Sequence, residues 1–168
     1  VDLQLLRDRW EWDAVARSVA AADDGAMVLV DGDLQPDWRI PARVRIAPHV
    51  VRTPLLRHRL GPGCELLLKP ESLQPTGAFK LRGGIYLMSR LSENERARGV
   101  VTASTGNHGQ SIAYAARLFG VRAVVYAPEG ANPGKVAAMR RLGAELVLTG
   151  RDFDEARLAA EHRATAEG

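Results

Sequence analysis

Gly99-Val-Val-Thr-Ala-Ser-Thr-Gly-Asn-His-Gly-Gln110 opens with β-branched apolar residues, then turns through small hydroxyl residues and a glycine into a helix-forming stretch. The pattern predicts a strand at 99–103, a tight loop at 104–106 and a helix at 107–119 that Gly120 can end in a left-handed conformation. Working outward, the same rhythm runs from Arg43 to the end of the chain. It predicts a strand at 65–69, a loop at 70–75 and a helix at 77–91 capped by the Thr76 hydroxyl. A strand at 122–127, a Pro- and Gly-rich loop, a helix at 135–142 stopped by Gly143, a strand at 145–148 and a helix from Asp152 follow. Alternation of this kind yields a parallel sheet covered by helices, so the expected fold class is α/β with three layers. The last helix has no later element to pack beside.

Toward the N-terminus the rhythm is lost. Leu3, Leu6, Trp10, Ala14 and Val15 stand near helical spacing and residues 26–30 read as a short strand, but the stretch carries no chemical signature. Pro36 and Pro41 set a boundary near residue 40. The expected organisation is an N-terminal segment of unassigned role (1–40), a stretch at 41–83, and a small parallel α/β domain at 84–168.

Composition narrows the function classes. Among 168 residues, 46% are hydrophobic and 26% charged, the balance of a globular chain. The net charge of +3 is spread without a basic block or interleaved aromatics, which argues against a nucleic-acid partner. No apolar run approaches the roughly 20 residues that span a bilayer, and the N-terminus lacks a secretory layout, so no membrane partner and a cytoplasmic location are expected. The single cysteine, Cys64, allows no internal disulfide and no cysteine-rich zinc site, and it reads as a structural thiol. No metal site is expected.

Lysine is scarce: only Lys69, Lys80 and Lys135 occur, against twenty arginines. Arginine stays protonated and forms no imine with an aldehyde, so a site needing a nucleophilic amine must keep lysine. Lys80 lies in Pro75-Thr-Gly-Ala-Phe-Lys-Leu-Arg-Gly-Gly84, beside an apolar Phe79 and between glycines that permit close approach. Helix-end amides and Arg82 would disfavour its protonated form. Taken alone, the segment reads first as an exposed lysine in a first helical turn. The 102–110 turn presents several backbone amides to one point, which suits a carboxylate or phosphate; alone, it reads as a routine strand-helix turn.

Together, these two motifs resemble the fold-type-II pyridoxal-phosphate enzymes, with the tryptophan synthase β-like architecture, and most closely the threonine/serine dehydratases and serine racemases. Ile46-Ala-Pro-His-Val-Val-Arg-Thr-Pro-Leu55, the strand exit at 67–71 and Ala137-Ala-Met-Arg-Arg-Leu-Gly-Ala-Glu145 extend the resemblance over residues 43–168. It implies pyridoxal 5'-phosphate as cofactor, with Lys80 as the imine-forming lysine and the base for the substrate α-proton. Phe79 would pack by the cofactor and Asn107 would hydrogen-bond its ring hydroxyl. Ser104, Thr105, Gly106 and His108 would line the substrate carboxylate pocket, although His108 also reads as a cap or packing group and Arg82 as an ion-pair partner. Residues 41–83 would then be a partial large domain carrying the lysine. The implied reaction is β-elimination from a hydroxy amino acid such as threonine or serine, giving a 2-oxo acid and ammonia.

Family members run to about twice this length, with the glycine-rich loop for the cofactor phosphate in the later part. The resemblance therefore implies a truncated chain with weak cofactor binding, little or no turnover, and an unfinished sheet that favours homo-oligomers. Thr105 stands where racemases place a second hydroxyl, which leaves racemisation as a side activity. Two alternatives remain: a threonine synthase-like enzyme, which Leu81 after Lys80 and His108 after Asn107 disfavour, and a non-catalytic remnant or interaction module.

Overall fold

In the computed structural model, described for residues 39–61 and 63–167, the parallel sheet grows from three short apolar strands. These are β3 (Val100–Ala103), β4 (Ala123–Ala127) and β5 (Glu145–Leu148), ordered β3-β4-β5 with both pairings parallel. Five earlier elements precede them: α1 (Arg39–Ile46), β1 (Leu56–Gly61), β2 (Cys64–Leu68), α2 (Lys80–Arg90) and α3 (Glu93–Arg98). Helix α4 (Asn107–Phe119) carries the chain from β3 to β4, α5 (Pro133–Arg141) from β4 to β5, and α6 (Phe153–Glu167) follows. Pro41–Gly168 forms one compact unit, and the expected division at 83/84 falls inside α2. The helix and strand expected within residues 3–30 lie outside the described residues.

The three layers follow from strand periodicity, because successive residues of β4 face opposite sides and all five are buried. Ala123 and Val125 join one core with Leu81, Ile85 and Met88 of α2, Ile112 and Ala116 of α4, and Met139 of α5. Val124 and Tyr126 join the other core with Ala156 and Ala160 of α6. The last helix thus packs back on the sheet and closes its second face through its small residues. Gly120 ends α4 at φ 66°, ψ 30°, as the sequence predicts.

Three departures from expectation have local causes. Leu56–Gly61 pairs antiparallel with Cys64–Leu68, so β2 belongs to a hairpin rather than to the parallel sheet. Gly77 sits at φ 68°, outside the right-handed helical region, and delays the start of α2 to Lys80. Thr76 therefore does not cap α2; its hydroxyl is buried without a hydrogen-bond partner among the described residues. Finally, Ser92 and Glu95 form a reciprocal capping box that starts the unanticipated α3.

Candidate active site around Lys80

Lys80 opens α2 on the exposed side of the chain, with its Nζ 5.2 Å from the centroid of the Phe79 ring. Phe79 is 59% exposed, leaving that aromatic surface open. A methyl built on either Gly77 or Gly83 would meet nothing within 4 Å, so both flanks of the lysine have room. The backbone beneath is held tightly. Fully buried Ser111 of α4 donates from Oγ to the Lys80 carbonyl at 2.6 Å, and Gly84 brings α2 so close that an added Cβ would lie 2.9 Å from the Ser111 carbonyl oxygen.

Arg82 is engaged elsewhere than the Lys80 amine. Its Nε and Nη2 donate to the two oxygens of Glu71 at 2.7 and 2.8 Å, the ion-pair role foreseen for it. Glu71 also accepts from Thr53 Oγ1 at 2.7 Å, while buried Gln74 bonds the Val51 amide and carbonyl at 3.1 and 2.8 Å. The Arg82 hydrogen bonds are the main reason that the Glu71 carboxyl is lowered to about 2; burial opposes them, and Thr53 and Lys69 assist. This network ties the first turns of α2 to the 50–54 and 70–74 segments.

The turn after β3 is closed from below by Ser104. Its hydroxyl, 5% exposed, accepts from the amides of Gly106 and Gly109 at 3.1 and 2.8 Å. Ser104 thus shapes the loop from beneath, whereas Thr105, Asn107 and His108 are exposed on it. Asn107 and His108 begin α4, where amides lack intrahelical acceptors and favour an anion. His108 Nε2 lies 3.1 Å from Thr102 Oγ1. Covering of its ring, and then the positive charge of Lys80, hold the imidazole below its usual pKa. The bond from Ser111 to the Lys80 carbonyl joins the helix that this loop begins to the start of α2.

Two residues that the structure brings against the motifs were not singled out from the sequence. Ser111 gave no sequence signal, being one small residue in a helical pattern. Lys135 was noticed only as a rare lysine, yet a methyl on Gly106 would stand 2.9 Å from its Nζ and 3.1 Å from its Cδ. Among the described residues, no cluster of three or more His, Cys, Asp or Glu could hold a metal ion, and no helix is long and apolar enough to cross a membrane.

Residues 46–168 match the family of pyridoxal-phosphate dependent enzymes. The chain belongs to this family. It is 47% identical over 119 residues to an L-threonine ammonia-lyase of Geobacter sulfurreducens, covering 69% of this chain and 30% of that protein. The fold is similar to the processed form of threonine deaminase isoform 2 from Solanum lycopersicum, with TM-score 0.69 and 32% identity over 80% of this chain and 42% of that one. It is also similar to maize serine racemase, with TM-score 0.71 and 30% identity over 77% of this chain and 40% of that one. The chain thus spans less than half the length of each. These findings agree with the fold-type-II architecture and the dehydratase relationship expected from the two motifs. The residues present fit the family cofactor on its lysine side: an exposed amine, an open aromatic ring, unfilled flanks, and the orphaned hydroxyl of Thr76.

Proposed function

We propose that this chain supplies the lysine and substrate-carboxylate side of an ammonia-lyase that removes the β-hydroxyl of threonine or serine. The observation that carries the reading is the bond from Ser111 of α4 to the Lys80 carbonyl, which ties the helix that opens on the lysine to the helix that the 105–108 loop begins. Pyridoxal 5'-phosphate, when bound, supplies the electron sink for carbanion chemistry.

The protein's own groups bind, orient and move protons. Lys80 Nζ takes the substrate α-proton. Phe79 and Asn107 would help to hold the cofactor, Phe79 by packing beside it and Asn107 by hydrogen-bonding its ring hydroxyl. Thr105 and His108 receive the substrate carboxylate in a pocket that Gly106 lines, on a loop whose shape Ser104 fixes. The low pKa of His108 keeps its ring neutral near pH 7, so that it serves as a hydrogen-bonding group rather than a second cation. Loss of the α-proton and the β-hydroxyl together as water gives an enamine, which takes up water to give a 2-oxo acid and ammonia. Within the full enzyme, residues 41–83 would belong to the larger domain and 84–168 to the smaller, in a cytoplasmic homo-oligomer. The exposed Thr105 hydroxyl and the likeness to serine racemase support racemisation as an accompanying activity.

The test is covalent labelling. The chain is incubated with pyridoxal phosphate, reduced with borohydride and mapped by peptide mass spectrometry. Label concentrated on Lys80, and lost in Lys80→Ala, supports the reading. Label spread over Lys69 and Lys135 and unchanged in total in Lys80→Ala overturns it.

A further inference from the structure

Lys135 sits in the first turn of α5, where Asn132 Oδ1 accepts from the Gly134 and Lys135 amides at 3.0 and 3.2 Å. Its side chain reaches across to the neighbouring loop: Nζ, Cδ and Cε stand 2.9, 3.1 and 3.4 Å from where a Cβ on Gly106 would be. The two loops meet because β3 and β4 are adjacent and parallel, so the segments leaving them emerge at the same carboxyl edge of the sheet, the edge where open α/β sheets bind ligands. Glycine at 106 is what allows the lysine stem to lie there.

A cation in the first turn of α5 and beside the start of α4 meets the positive end of both helices. Among the described residues Lys135 has no carboxylate within ion-pair distance, as is also true of Lys69 and Lys80. Its ammonium, beside Gly106, adds positive charge at the start of α4, where an anion is favoured.

We propose that Lys135 is a substrate-binding residue whose ammonium pairs with the α-carboxylate seated on the Thr105–His108 loop. This rests on the reading of that loop as the carboxylate site. The lysine adds a mobile point charge to fixed amides, tightening binding without touching the reacting carbon.

Malonate serves as probe, titrated into the isotopically labelled chain at low salt while the amide signals of Thr105, Gly106, Asn107 and His108 are followed by NMR. Loss of one charge-assisted contact in Lys135→Gln should weaken malonate binding about tenfold, and Lys135→Arg should recover most of it. Gly106→Ala should weaken binding similarly by displacing the lysine, with little further loss in the double variant because both act on one contact. Dispersed spectra report whether each variant is folded. Equal titration of wild type and Lys135→Gln overturns the proposal, as does the absence of a saturable response at these amides in wild type. Lys80 labelling is read separately. Labelling with Lys135-independent malonate binding sinks only this inference, and Lys135-dependent binding without Lys80 labelling sinks only the proposed function.

Discussion

The Ser111 hydroxyl donates to the backbone carbonyl of Lys80 at 2.6 Å across 31 residues of chain. The lysine's position is thus set by a helix that begins in the other motif, so the two motifs form one site only while α2 and α4 remain in register.

Gly84→Ala tests that register. The new methyl would press on the Ser111 backbone, which cannot yield as a flexible side-chain end would. Overpacking of this kind costs about 1–3 kcal/mol, read from urea denaturation. Lys80 labelling by pyridoxal phosphate should fall in the variant that remains folded. An unchanged unfolding midpoint and unchanged labelling would mean that the helices part readily.

Glu71 confers a pH dependence of defined sign. Its folded pKa, about 2, lies below the ordinary 4.5, so its contribution is complete above pH 4.5 and lost as pH falls through about 2. Water at the edge of the pair screens it, leaving about 1–2 kcal/mol. Glu71→Gln should therefore be less stable than wild type at pH 7, with the difference shrinking below pH 4.5. Urea midpoints at pH 7 and pH 3 provide the check, and a constant difference would assign the loss to packing instead.

His108 reports the distance between the motifs. Burial and the Lys80 charge both lower its pKa, burial being the larger cause. In an NMR titration its ring should titrate below 6.5 in wild type and move upward in Lys80→Gln without fully returning. With a depressed pKa the folded state is disfavoured as pH falls below 6.5, so this group contributes a stability that rises with pH up to that value. An unmoved midpoint in Lys80→Gln would separate the lysine from the loop.

The parallel half of the fold was legible because its signals are local. Apolar runs alternate with helical patterns, and Gly120 and Gly143 mark helix ends at positive φ. The hairpin was not, since Leu56-Arg-His-Arg-Leu60 has charges between its apolar residues and pairs through backbone groups. The Ser92–Glu95 capping box was readable and overlooked. Site residue types were legible from the motifs, but the directions of their side chains were not. Ser104 is held under the loop because two amides donate to its oxygen, whereas Thr105 is left exposed. The position of Lys135 over Gly106 arises only when β3 and β4 pair.

That difference between Ser104 and Thr105 yields paired expectations. Ser104→Ala removes the acceptor of two amides in a buried turn, which costs about 1–3 kcal/mol for the groups left unsatisfied, read from urea denaturation. It should also broaden or shift the amide signals of Gly106 and Gly109. Thr105→Ala removes an exposed hydroxyl with no such partner, so stability should change by less than about 0.5 kcal/mol. In the full-length enzyme its effect should appear instead as a lower ratio of racemisation to elimination, measured as D-serine against pyruvate from L-serine. Equal destabilisation by the two substitutions would place Thr105 in the support of the loop, and an unchanged product ratio would remove it from the chemistry.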